Sequence, residues 1–317
     1  MSYFNVYDEL KEAIEKDCIN NVSFIDENVL PYKADFLADP FIYCIEGSYH
    51  ILCEVYVRKG DKRITHIRSD DDMKTWKWVS DLITGMDLSF PALYNSPDAM
   101  AGEVIVIPQI SKEDKLIGFF YNLNSGSKAE KIWEVEMKAY TNDHIIINRP
   151  GTDKSYMFYC SRNMSKYFRQ TGLYISEIEG HLKQNSKPVL KKNHVLKLKT
   201  LSDLILKIFK KPRLSYRPAG NILKNDKNVV VIPIQAKKTD KYGELLAFVS
   251  VKWEKAAIIK TEFFNIQKLY EDIERSHHIS WTKRPDNTTL FCYDFIRTGN
   301  GEKWELGVFE TNTNKMN

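Results

Sequence analysis

Cysteine is scarce in this sequence. The five residues (Cys18, Cys44, Cys53, Cys160, Cys292) are an odd number, widely scattered, with no Cys-x-x-Cys spacing. That excludes a disulfide framework and argues against a zinc site; the thiols read as reduced, mostly core groups of an intracellular protein. A dominant charge is lacking as well. Lys and Arg number 46 against 42 Asp and Glu, a formal +4, too small a surplus to point to nucleic acid. No apolar run reaches the ~18 residues of a membrane-spanning helix. The opening MSYFNVYDELKEAIEKD is acidic and has none of the basic and apolar regions of a secretory leader. Cytoplasmic location is therefore expected, with no cofactor, metal or nucleic-acid partner. Glycine is also low, at 14 residues.

Aromatic residues are plentiful, at 12%, which favours sheet or a surface that stacks on flat ligands. Residues 6–17 predict a helix with Val6, Leu10, Ala13 and Ile14 on one face. From about Phe36 the pattern becomes short apolar or alternating runs bounded by Gly, Asn, Asp or Pro, as in YHILCEVYV, EVIVIP, NVVVIPI and LFCYDF. The core is expected to be all-β.

The runs recur as a unit of opening, apolar strand, turn, second apolar strand and a more polar strand. Openings fall at Ala38-Asp39-Pro40, Ser89-Phe90-Pro91, Asn142-Asp143-His144, Tyr216-Arg217-Pro218 and Ser276-His277-His278. Five such units predict a five-bladed β-propeller over 31–317, preceded by an N-terminal helical extension over 1–30. The last run, WELGVFE, is expected to pair into the first blade and close the ring. Residues 187–213 hold nine Lys/Arg against one Asp, and within them LSDLILKIF, with Ser202 as N-cap and Pro212 as stop, reads as an inserted basic amphipathic helix. Two readings stand for it: packing on the propeller, or peripheral contact with an anionic membrane.

Equivalent positions of propeller blades converge at one face of the central channel. Asp39, Ser89 with Asp87 nearby, Asp143, Arg217 and His277/His278 should therefore meet there. Polar groups at the starts of buried strands are costly unless paired or facing a wet pocket. Glu54, Gln109, Gln235 and Asp294 lie late on second strands and either line the channel wall or bond neighbouring blades. Tyr216, Tyr242 and Trp281 stack on a sugar or fill the core. Asp70-Asp71-Asp72, in SDDDMKTW, reads as a hairpin turn capped by Asp with Trp76 packed on it, rather than a metal site.

The motif order ADPFIY, RSDDDMKTW, LSFPALY, VIVIPQ, YRPAGNIL, IPIQ and SHHIS, over residues 34–296, resembles the N-terminal domain family of glucosamine inositolphosphorylceramide transferase. The resemblance implies the five-bladed propeller shared with glycoside hydrolase families 43, 32 and 68. It also implies carboxylate chemistry: in family 43 an aspartate opening the first blade acts as base, a second tunes pKa and a glutamate acts as acid. Asp39 matches the first position. The second aspartate is missing unless Asp87 substitutes, and Asp143 stands where a glutamate would be sought.

The expected catalytic residues are Asp39, Asp143 and Glu54. Those expected to bind substrate are Asp87, Ser89, Gln109, Arg217, Gln235, Tyr242, His277 and His278. The expected function is hydrolysis or transfer on a cell-surface glycan or its precursor, with a carbohydrate or glycolipid substrate. The alternative is a non-catalytic glycan-recognition module assisting a separate glycosyltransferase. A ligand-free interaction propeller would instead carry apolar or variable residues at the channel mouth.

Overall fold

The computed structural model describes residues 4–58, 61–94, 100–110, 115–137, 141–162, 171–179, 189–190, 196–197, 215–237, 244–254, 257–264, 273–299 and 303–311. They form five antiparallel sheets arranged as a propeller. The first blade runs from the inside outward as Phe36–Ile45, Ser48–Arg58, Asp61–Ser69 and Lys77–Ile83. Its first hairpin turns on two residues, Glu46 and Gly47, both at positive φ (51° and 83°). That is the turn whose twist matches the flanking strands. The second blade is Leu88–Tyr94, Glu103–Ile110, Lys115–Asn122 and Glu130–Glu136. The third is Thr141–Asn148, Ser155–Arg162 and Thr171–Glu179, edged by the short strands Val189–Leu190 and Leu196–Lys197. In the fourth, Ser215–Pro218 and Lys224–Asn225 share the inner position, followed by Val229–Lys237, Glu244–Lys252 and Ala257–Phe263.

The fifth blade carries a correction. Trp304–Thr311 does not join the first blade; it is the third strand of the fifth, after Ile273–Arg275 with Ile279–Lys283 and after Thr289–Arg297. Its outer edge is covered by Ile19–Ile25, from the segment expected as a helical extension. Pairing an N-terminal strand with the last strand in one sheet ties the two ends of the propeller together and removes an exposed edge.

The helix spans Val6–Glu15. Asn5 caps it, its side chain accepting from the Asp8 N–H at 3.3 Å. Val6, Leu10 and Ala13 are buried on one face and Ile14 is half-buried. Val6, Tyr7 and Leu10 pack against Phe248, Phe291, Tyr293 and Phe295 in the wedge between the fourth and fifth blades. Similar apolar wedges fill the other junctions, for example Leu52, Ile64, Val104, Val106 and Phe119 between the first and second blades. Alternation along each strand supplies both faces of these sandwiched sheets. The expected amphipathic helix within 187–213 lies outside the described residues.

The acidic run Asp70–Asp72 is a turn. Asp71 accepts hydrogen bonds from the Thr75 N–H (2.9 Å), the Thr75 hydroxyl (2.6 Å) and the Ser69 hydroxyl (2.9 Å). Trp76 Nε1 donates to the Ser23 hydroxyl at 2.9 Å.

Candidate functional site

In three blades the inner strand begins with a β-bulge built on a left-handed, non-glycine residue. Register breaks between Ala38 and Phe41, Ser89 and Pro91, and Asn142 and His144. Asp39, Phe90 and Asp143 take φ values of 51°, 45° and 37° there. Such backbone costs about 1–3 kcal/mol per residue and persists where its surroundings over-determine it. A bulge re-aims a side chain out of the sheet's alternation, and all three residues face one cavity of about 330 Å³ on the propeller axis.

The structure gathers Asp39, Glu54, Asp143, Arg217, Gln235 and His277 in that lining, with Asp294, Phe36, Phe90, Arg275 and Trp304. Other predicted residues are placed elsewhere. Ser89 and Asp87 are half-buried near the mouth and outside the lining. In the second blade it is Phe90 that faces the pocket. Gln109, outside the lining, works through the backbone: its Oε1 accepts the Asp143 N–H at 3.2 Å. His278 is fully buried, its ring 4.9 Å from Phe41 and 5.3 Å from Phe90. Burial lowers its pKa to about 3, so it is a neutral wedge beneath the pocket. Trp281 lines a separate apolar cavity of about 580 Å³ with Phe4, Phe41, Tyr43 and Ile145. Tyr242 lies outside the described residues.

Carboxyl groups dominate the pocket wall. Asp294 is buried and accepts three backbone N–H groups: His277 and His278 on Oδ1, each at 2.9 Å, and Asp39 on Oδ2 at 3.2 Å. Burial lifts its pKa to about 6 against these donors. Asp39 is pushed well above the usual aspartate range, first by burial, then by the neighbouring Glu54, Asp294 and Asp143 carboxylates, and by a hydrogen bond to Glu54. Glu54 in turn forms an ion pair with Lys62 at 2.8 Å. Asp143 pairs with Arg217, Nε to Oδ2, at 2.6 Å. Burial opposes the Arg217 charge, but the Asp143 carboxylate outweighs it and raises the guanidinium pKa.

The pocket thus sets Asp39, whose carboxyl holds its proton more tightly than an ordinary aspartate, beside the ion-paired Glu54. Two carboxyls sharing one proton can give a proton to one oxygen and take one from another. Arg217 on the fourth blade and Arg275 and His277 on the fifth line the same pocket. The His277 ring packs against Trp304 at a tilt of 46°, ring centroids 4.3 Å apart, and the Arg275 guanidinium lies 5.6 Å from the same ring. Sequence reasoning missed Phe36, Phe90, Lys62, Arg275 and Trp304. Of these only Phe90 carried a signal, since it lies inside a recognised opening. Among the described residues no cluster of three or more His, Cys, Asp or Glu is arranged to hold a metal ion.

No family model and no curated protein matches the chain by sequence. Solved structures do match in fold. The catalytic domain of the family-62 α-L-arabinofuranosidase from Coprinopsis cinerea aligns over 93% of this chain and 97% of its own, with TM-score 0.60 and 12% identity. A family-62 hydrolase in complex with xylotriose aligns over 92% and 95%, with TM-score 0.60 and 11% identity. A thermostable family-43 glycoside hydrolase aligns over 90% and 91%, with TM-score 0.56 and 12% identity. At these identities the likeness is one of fold.

Proposed function

We propose that this propeller is a carbohydrate-active protein whose axial pocket takes one sugar residue and performs acid–base chemistry at its glycosidic oxygen. The observation that carries this is the placing of two carboxyls in one pocket: Asp39 on its left-handed bulge, next to the residue paired with Glu54, and Glu54 ion-paired to Lys62 at 2.8 Å. Asp39 delivers its proton to the departing sugar oxygen. Glu54 accepts the proton of the incoming hydroxyl, from water in hydrolysis or from a second sugar in transfer. Asp143, engaged by Arg217, and Asp294, engaged by three N–H groups, stand outside the proton transfer. The neighbouring folds support a sugar as occupant, since one was solved with xylotriose bound. A cell-surface glycan or its precursor is the substrate setting that the family resemblance favours.

A second reading has its own observation. Glycosidases that use two carboxyls hold them roughly 5–10 Å apart, whereas Asp39 directly follows the residue paired with Glu54 across the first hairpin, which makes the two close neighbours. That closeness suits a recognition module working beside a separate transferase. A glycan screen of wild-type protein and Asp39→Asn separates the two. Turnover by the wild type, lost in the folded variant, supports the enzyme. Saturable binding by both with no product supports the module, and an unchanged rate in Asp39→Asn removes Asp39 from the chemistry.

A further inference from the structure

The Asp143–Arg217 pair is incomplete. Arg217 reaches Asp143 through Nε alone. Its two terminal amino groups make no hydrogen bond among the described residues, and the side chain, 30% exposed, lines the pocket. Asp143 Oδ1 is buried and accepts no hydrogen bond among the described residues. A guanidinium–carboxylate pair made for stability closes as a two-pronged fork. Here one guanidinium edge and one carboxylate oxygen are left open side by side.

Both groups are held in place. The Asp143 backbone sits at φ 37° with its N–H anchored on Gln109. Arg217 precedes Pro218 and pairs with Gln235 across the inner hairpin, and a residue before proline is confined to extended backbone. The complement of an open guanidinium edge is an oxyanion, and the complement of the open carboxylate oxygen is a hydroxyl donor. The pocket's other acids leave room for that charge. Glu54 is paired with Lys62 and Asp294 faces three N–H groups. Arg275 also lines the pocket, a second guanidinium beside the acids.

We propose that the sugar taken by this pocket carries a carboxylate or a phosphate, and that Arg217 binds this oxyanion while Asp143 Oδ1 accepts a hydrogen bond from a neighbouring ring hydroxyl. The inference rests on the reading of the pocket as a sugar site and narrows it to anionic sugars. Asp143 and Arg217 then determine specificity.

The test is calorimetric titration of the full chain at low salt with glucuronate, galacturonate and glucose 6-phosphate, against glucose, galactose and xylose, with inorganic phosphate alone as a further arm. At least one anionic sugar should bind about tenfold or more tighter than its neutral counterpart, consistent with a charge-assisted fork. The uronate and phosphate arms tell which oxyanion is read. Arg217→Lys, which keeps the charge but loses the fork, should reduce that preference severalfold, with circular dichroism confirming its fold. Neutral sugars binding as tightly as anionic ones would overturn the inference and leave the sugar reading standing. Inorganic phosphate binding as tightly as glucose 6-phosphate would overturn the hydroxyl contact. No binding by any sugar would overturn both this inference and the sugar reading.

Discussion

Asp294 Oδ2 accepts the backbone N–H of Asp39 at 3.2 Å across 255 positions of sequence. Its other oxygen takes the N–H groups of His277 and His278. One carboxylate therefore pins the opening segment of the last blade to the bulge of the first. The strand Ile19–Ile25 closes the ring at its rim; Asp294 closes it at the pocket. Gln109 repeats the device two junctions further on, from the second blade to Asp143 in the third.

Asp294→Ala should orphan three backbone N–H groups. At about 1–3 kcal/mol for each buried donor left unmade, partly relieved by water from the pocket, a loss of roughly 3–4 kcal/mol is expected. Asp294→Asn keeps an acceptor oxygen and should lose about half as much. Urea unfolding of the two variants checks the order. Equal and small losses would mean the three bonds are not holding the junction.

Acid should destabilise the fold through its buried histidines. Burial lowers His50 and His144 to about 4 and His66 and His278 to about 3, from 6.5. The unfolded chain takes up these protons below pH ~6.5 while the folded chain does not, so stability is full above that pH and falls as pH drops toward 4. Asp39 and Asp294, raised in the fold, act with opposite sign: the folded chain holds up to two extra protons on them. The four histidines outnumber the two carboxyls, so the net effect near pH 5 is still a loss of stability as pH falls. His278→Leu should reduce the slope of that loss by about 1.4 kcal/mol per pH unit. Unfolding free energies at pH 7, 6 and 5 measure it, and stability that does not fall with pH would contradict the assignment of buried neutral histidines.

Gly220→Ala should be among the costliest single substitutions. Gly220 has φ 131°, and a Cβ there would lie 1.6 Å from the Ile279 carbonyl oxygen. The two segments form a parallel bridge, and the Ile279 N–H donates to the Ala219 oxygen at 2.9 Å. The inner strands of the fourth and fifth blades cannot come this close with a methyl group between them. A loss of about 3 kcal/mol or more is expected. Thermal melting with less than a degree of change would contradict the close approach.

Deleting residues 1–25 should abolish cooperative folding. The truncation bares the edge of Trp304–Thr311 and removes Val6, Tyr7 and Leu10 from the wedge between the fourth and fifth blades. Size-exclusion chromatography and thermal melts check it; a monomer with an unchanged melting transition would show the closure to be dispensable.

Much of the ring was legible in the sequence because the openings of its blades stand out: a charged or polar residue, twice with a following proline, just before an apolar run. The closing strand was not, because INNVSFI alternates weakly and carries two asparagines at its start. Convergence of Asp39, Asp143, Arg217 and His277 followed from propeller geometry alone. Their individual roles did not, because a bulge changes which neighbour points inward. It turned Phe90 rather than Ser89 into the second blade's pocket residue. At His277-His278, between two short strands, one imidazole lines the pocket and the other is buried. The Asp39–Glu54 contact depends on pairing of Ala38 with Glu54, a register that composition does not reveal.

The account turns on the proton of Asp39. Carbon-detected NMR of the side-chain carboxyls, titrated across pH with Asp39→Asn for assignment, observes it directly and needs no substrate. The account predicts a midpoint for Asp39 well above the ordinary aspartate range, moving down when Glu54→Gln removes its neighbour's charge. A midpoint near the ordinary value of about 4, unmoved by Glu54→Gln, would contradict it.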